Sequence, residues 1–380
     1  MKKAWPFAAL VLVCAAGGAL ASSYSDFNAG IAAHDRYDWD ETIQRETAAL
    51  AAPDLLPGFR VPAHIDRADA HLAKKEYDLA LIDYSAALAI APDNLEARLR
   101  RSAIYREKKN YAAAIADLNE VIRLRPTLPV GYGVRAVCYD ESGNLDAAIA
   151  DYTTLIGLNT KDAAGYALRG SAWRRKGDTG KAIADDTNAL ALQPRAAGVM
   201  FERAQAYQDE GNYTGAVTDI TNGLRLNPSN ADARLQLGLA QWEAGNFADA
   251  ATAFGQVVQV RPDFPYAMIW RALSQSRTGQ DYTAEFATNT AKLDMAKWPA
   301  PLVRLFQGQS APDAAFRAAA NPDPEIARQQ TCEANFYTGE WDLMHGAQAA
   351  AIPLLQAARA TCPYDFIERN AAIAELARTK

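Results

Sequence analysis

From Val61 onward, apolar and small side chains return to the same places every 34 residues, with polar turn residues between them. The eighth place of each unit holds Ala68, Ser102, Ala136, Gly170, Ala204, Gly238 and Ala272, all small. The twentieth holds Ala80, Ala114, Ala148, Ala182, Ala216, Ala250 and Ala284, all alanine. The thirty-second holds Pro92, Pro126, Pro194, Pro228 and Pro262, and fails only at Thr160 and Ala296. Two antiparallel helices approach closely only where small side chains cross, so the eighth and twentieth places predict a helix pair in each unit. Gly143, Gly177, Gly211, Gly245 and Gly279 fall in one column between the helices, where a left-handed residue ends the first of them. Proline in the thirty-second place stops the second helix. Each pair leaves an apolar face uncovered, so the pairs must stack.

The rhythm divides the chain. Residues 61–298 hold seven regular units, and residues 22–60 hold a degenerate one (Gly30, Thr42, Ala49) followed by a short insertion from Pro53 to Arg60. Residues 299–331 fit no unit and predict short bridging helices. In 332–380 the pattern returns, with Gly339, Ala351, Ala358 and Pro363 in place and Gly346 in the turn, and a last helix from about Tyr364 to Arg378 caps the array. This pattern resembles the tetratricopeptide repeat family. The resemblance implies an all-α TPR solenoid, a right-handed superhelix of antiparallel helix pairs, with a C-terminal helical cap.

A second pair of columns concerns charge. The seventh place is Arg67, Arg101, Arg135, Arg169, Arg203 and Arg271, and the twenty-third is Asp83, Asp117, Asp151, Asp185 and Asp219. The sixth unit loses both together, as Leu237 and Ala253, so the columns are expected to touch as structural ion pairs rather than to form a recognition stripe.

In the family resembled, places two, five, nine and twelve of the first helix face the concave groove. Early units put Ile65, Asp69, Leu72, Leu99, Arg106 and Asp140 there, and later ones put Phe201, Leu235, Leu239, Trp242, Tyr266, Ile269 and Leu273. Two readings stand for the second group: an apolar partner-binding groove, or core covered by curvature or the C-terminal module.

The N-terminus reads as a signal peptide, residues 1–21. Lys2 and Lys3 precede an apolar run from Ala4 to Val13, and small residues end in Ala19-Leu20-Ala21. Cys14 raises lipid anchoring as an alternative, although Val13 stands where such signals want a small residue. An exported chain, in a bacterial periplasm, is the expectation, with Cys138, Cys332 and Cys362 left after cleavage. Cys332 and Cys362 sit at the same end of an antiparallel pair, which allows a disulfide, two separate thiols being the alternative. Cys138 is expected to stay reduced.

The segment Cys332-Glu333-Ala334-Asn335-Phe336-Tyr337-Thr338-Gly339-Glu340, with Cys362-Pro363 and Phe366-Ile367-Glu368, resembles the end of NlpI-like bacterial envelope proteins, and Trp298-Pro299-Ala300-Pro301 resembles their linker. That implies an adaptor bringing envelope hydrolases or a protease together.

Composition narrows the field further. The net charge is −6 with no basic run, which gives nucleic acid no footprint. The four histidines, His34, His64, His71 and His345, form no HExxH motif and no zinc spacing, and Gly131-Tyr132-Gly133 lies inside a repeat helix rather than in a phosphate loop. No catalytic triad is arguable from spacing. The expectation is a non-enzymatic scaffold for protein or peptide clients, without metal or cofactor; the alternatives are self-assembly or assembly with envelope machinery through the convex face, and an enzyme whose site the segment 299–331 completes.

Overall fold

The computed structural model describes residues 20–363 and 366–379, so the leader segment 1–19 with Cys14 lies outside the described residues. The chain divides into two compact units, Met1–Thr160 and Lys161–Lys380. Among the described residues every regular element is a helix.

The first unit holds four helix pairs: α1 (Leu20–Asp35) with α2 (Trp39–Ala51), α3 (Pro57–Ala73) with α4 (Tyr77–Ile90), α5 (Leu95–Glu107) with α6 (Tyr111–Leu124), and α7 (Pro129–Glu141) with α8 (Leu145–Leu158). The second opens with α9 (Ala163–Arg175), α10 (Thr179–Leu192), α11 (Ala197–Asp209), α12 (Tyr213–Leu226), α13 (Ala231–Glu243), α14 (Phe247–Val260), α15 (Pro265–Arg277) and α16 (Thr283–Thr290). It continues with α17 (Ala300–Phe306), α18 (Asp313–Ala318), α19 (Pro324–Met344), α20 (Gln348–Thr361) and α21 (Ile367–Arg378).

Local chemistry explains the boundaries. Asn94, Asn110, Asn144, Asp162, Asp178, Asn212 and Asn230 each accept a hydrogen bond from the backbone N–H three residues on, which satisfies an orphan donor at the helix start. In the turn column the chain is left-handed in every pair, with φ +83° at Gly143 and +88° at Gly177. The first pairs reach the same geometry without glycine, at Tyr37 (φ 62°), Lys75 (61°) and Lys109 (57°).

The small columns are buried: Ala68, Ala80, Ala114, Ala136, Ala148, Ala182, Ala204, Ala216 and Ala250 have no exposure. Ala284 breaks the rule and is exposed. The short α16 instead buries Phe286, whose ring lies 6.3 Å from that of Phe306 on α17. Two sequence-based boundaries also move. α3 begins at Pro57, so half of the expected insertion is helix. The irregular segment ends at Asp323 rather than at 331, because Asp323 accepts from the N–H groups of Glu325 and Ile326 and starts α19 about two turns ahead of Cys332.

The charge columns meet within each pair. Arg67, Arg101, Arg135, Arg169 and Arg203 form two-pronged ion pairs with Asp83, Asp117, Asp151, Asp185 and Asp219, at 2.6–2.8 Å. A further N–H of the same guanidinium crosses to the preceding pair: Arg67 to Thr47 (3.0 Å), Arg101 to Ser85 (3.0 Å), Arg135 to Asn119 (2.6 Å) and Arg203 to Thr187 (3.0 Å). Each of these arginines therefore ties three helices and sets the register between neighbouring pairs. Arg271, lacking an aspartate, pairs with Glu285 at 2.7 Å. Its guanidinium fills the space above Gly255, where a Cβ would lie 2.4 Å from Nη1.

Candidate partner-binding surface

The apolar set expected to line a groove in the later units is core. Trp242, Ile269 and Leu273 have no exposure and Leu239 has 4%. They join Phe336, Tyr337 and Cys332 of α19 and Leu302 and Phe306 of α17 in one hydrophobic cluster, with Leu235 and Tyr266 half-buried against it. The Trp242 ring lies 5.1 Å from Trp270, 6.0 Å from Phe247 and 6.2 Å from Phe336. Phe201 belongs elsewhere. It packs on the small cluster of Ala204, Ala216, Ile220 and Ala240, over Gly223, where a Cβ would be 2.3 Å from its ring. Six of the seven residues are thus brought together, but by the C-terminal helices that cover them. The reason is physical: a surface this aromatic is costly to leave in water, and the chain supplies its own cover.

That cover is polar in places. Glu333 accepts from Tyr266 Oη (2.7 Å) and Trp298 Nε1 (2.8 Å), and Glu368 from Tyr337 Oη (2.9 Å). Arg277 pairs with Glu340 (2.6 Å) and Glu375 (2.9 Å), and Gln208 donates to Glu243 (2.7 Å). Burial pushes the Glu243 and Glu368 carboxyls up to about 8 and Glu340 up to about 7, and raises Glu333 as well. The Cys332 and Cys362 sulfurs are bonded, with Cα atoms 5.0 Å apart, which ties α19 to the end of α20. Cys138 is a buried free thiol, its acidity reduced by burial to a value of about 11.

In the first unit the inner face is less covered. Ile65 (6%) is buried in the α3–α4 core. Asp69 is consumed by a network: it accepts from Tyr84 Oη, and it pairs with Arg100 (3.3 Å) and His34 (3.6 Å). The Asp69 contact is the main cause of a raised His34 pKa. His64 and His71 also face carboxylates, Asp83 at 2.8 Å and Glu76 at 2.7 Å. Leu72, Leu99, Arg106, Val137 and Asp140 are half-buried, and Ala103 is exposed. Arg106 approaches Glu141 only to 4.0 Å. Among the described residues no group of His, Cys, Asp or Glu is arranged to hold a metal.

Two acidic residues escaped the sequence reading. Column twenty-four is apolar at Tyr84, Leu118, Tyr152, Ile220, Phe254 and Leu355 and polar at Thr288 in the short α16, but holds the acidic Glu46 and Asp186 in the same register. Both are buried, against Gly30 and Gly170, with Glu46 Oε1 and Oε2 and Asp186 Oδ1 lacking hydrogen-bond partners. Burial pushes Glu46 up to about 9 and Asp186 up to about 7. Comparing that column along the repeats would have found them.

Comparison with known proteins agrees with the helix pairing. A family model described as tetratricopeptide repeat matches residues 65–129, 138–198, 201–263 and 235–287, more than half of the chain. No curated protein matches it. Among solved structures, that of MamA protein is 23% identical, covering 46% of this chain and 96% of that one, at a TM-score of 0.43. A tetratricopeptide repeat protein from Parabacteroides merdae is 18% identical, covering 74% and 98%, at 0.49. YrrB, titled a TPR protein with an unusual peptide-binding site, is 16% identical, covering 45% and 88%, at 0.40. With its paired helices, buried small-residue columns and this match, the chain belongs to the tetratricopeptide repeat family, a family of protein-interaction scaffolds.

Proposed function

We propose that the chain is an exported adaptor that holds a client protein segment on the inner face of its first unit, residues 20–160. One observation carries the reading. The inner face of the later repeats is filled by the chain's own C-terminal helices, whereas Leu72, Leu99, Ala103 and Val137 stay accessible beside Arg106 and Asp140. An apolar strip edged by both charges suits an extended segment with alternating apolar and charged side chains. The preformed scaffold limits the entropy lost on binding. The Lys2-Lys3 and Ala19-Leu20-Ala21 leader pattern, with the Cys332–Cys362 bond, supports an oxidising compartment such as the periplasm. The NlpI-like C-terminal residues support envelope hydrolases or a protease as clients. A binding role is proposed rather than catalysis.

A photoreactive residue at Ala103 tests this. Clients should crosslink there and not from exposed Ala116 on α6, and Leu99→Glu with Arg106→Glu should abolish the product. Equal capture from both faces would refute the assignment. One observation favours a second reading, association through the outer face: α4 exposes Leu79 (48%), Ile82 (63%) and Ile90 (45%). Under that reading Ile82→Lys would reduce the molar mass measured by light scattering.

A further inference from the structure

α21 packs on α13 and reaches the C-terminal ends of the first helices of three successive pairs. Asn370 Nδ2 donates to Asp209 Oδ1 of α11 at 3.2 Å. Arg378 Nη1 donates to the terminal carbonyls of α13, Glu243 at 2.9 Å and Trp242 at 3.4 Å, and its guanidinium lies 4.6 Å from the Trp242 ring centre. Glu375 reaches Arg277 of α15 at 2.9 Å. α21 buries Ala371, Ala372 and Ala374, small enough for close approach, together with Leu376. The disulfide anchors α20 at Cys362, five residues before α21 begins, and leaves α21 itself untethered.

The charges around it do not balance. α21 brings Glu368 and Glu375 with Arg369 and Arg378. α13 faces it with Glu243, α15 with Tyr266 and Arg277, and α19 with Glu333, Tyr337 and Glu340. The α11–α12 end adds Asp209, Glu210 and Tyr213, and α20 contributes only the exposed Arg359. Five carboxyls, Glu243, Glu333, Glu340, Glu368 and Glu375, are at least nine-tenths buried. Arg277 and Arg378 serve Glu340 and Glu375, and the Arg378 charge also lies near Glu243, where burial outweighs it. The side-chain bonds of Glu243, Glu333 and Glu368 come from neutral donors: Gln208, Tyr266 with Trp298, and Tyr337. Buried carboxyls with neutral partners favour the protonated form.

We propose that α21 is a proton-linked latch: it occupies the inner face of the later repeats in place of a partner helix and is released when Glu243 and Glu368 lose their protons. The inference goes beyond the function proposed above and does not rest on it, since it concerns the other unit. The sign follows from the direction of the shifts. Both carboxyls are raised in the docked state, so docking is strongest below the ordinary carboxylate range and weakens as pH climbs through about 8. Release would remove the Arg378 guanidinium from the Trp242 ring, while Phe336 of α19 and Trp270 of α15 stay packed on it.

Hydrogen exchange of residues 367–378 in the full chain, corrected for intrinsic rates, tests the latch from pH 6 to 9. Each proton released on opening raises the opening constant about tenfold per pH unit. The expected result is at least that slope for α21 between pH 7 and 8, with helices α5 and α6 unaffected. Glu243→Gln with Glu368→Gln should flatten it. An opening constant independent of pH in the unaltered chain, or one rising toward acid, would overturn the proposal without recourse to variants.

Discussion

Replacing Asp186 by leucine should stabilise the second unit. Asp186 is 2% exposed, and its Oδ1 has no hydrogen-bond partner. Desolvation first, and then the nearby Glu202, push its carboxyl from the ordinary value of 3.8 to about 7. A difference of this size corresponds to on the order of 4 kcal/mol of destabilisation once the group ionises in the unfolded chain and resists doing so in the folded one. The sign is set by the raised folded value: the penalty is absent below about pH 4, grows through neutrality, and is complete near pH 8. Space for leucine is shown by the chain itself. Gly339 faces Leu355 across the same two columns, with Leu355 Cγ 3.0 Å from a Cβ built on that glycine, and Gly170 faces Asp186 in the same way. We expect Asp186→Leu to gain about 2–4 kcal/mol at pH 8 and Asp186→Asn to gain somewhat less, because it keeps a polar group. Urea unfolding of both variants and the unaltered chain, followed by far-ultraviolet circular dichroism at pH 4.5 and 8, isolates the effect from the other buried carboxyls. Loss of stability in Asp186→Leu at pH 8, or a gain of equal size at both pH values, would refute the reasoning.

Trp242→Ala should cost about 3–5 kcal/mol, as expected for removing a fully buried aromatic, and thermal melting would show it as a lowered transition. Lys75→Gly and Lys109→Gly should each raise stability by about 1 kcal/mol, because both residues hold a left-handed backbone that glycine adopts freely; chemical denaturation measures this. In a double-mutant cycle, Arg135→Met or Asp151→Leu alone should cost about 3–5 kcal/mol by stranding a buried charge, while the pair together should be much less damaging. Of the three cysteines beyond residue 21, only Cys138 should react with a thiol reagent under denaturing, non-reducing conditions.

The sequence made the repeat legible because close helix crossing admits only small side chains, and Ala114 or Ala148 has no alternative there. The arginine–aspartate pairs were legible for a related reason: the joint loss at Leu237 and Ala253 betrays contact. What spacing alone could not settle was which inner surface stays open. Trp242 and Leu273 follow the same periodicity whether water or α19 covers them, and the cover comes from residues about 60–100 positions later. Phe201 shares the column of Leu235 and Ile269, yet its ring turns to Gly223 within its own pair. Ala284 shows the limit of column reading at the end of an array, where α16 shortens and Phe286 takes the core position. The buried Glu46 and Asp186 were visible as exceptions in an apolar column, but charge at a helix surface is common enough to pass unnoticed without the register.

The inner face of the later repeats is interior, whereas that of the first unit stays accessible at Leu72, Leu99, Ala103 and Val137. Hydroxyl-radical footprinting of the folded chain measures this contrast residue by residue. Trp242 and Trp270 should be protected to the level of the buried Tyr84, while Leu72, Leu99 and Val137 are modified readily. Oxidation of Trp242 as fast as that of the half-exposed Trp173, in a chain that remains fully helical, would contradict it.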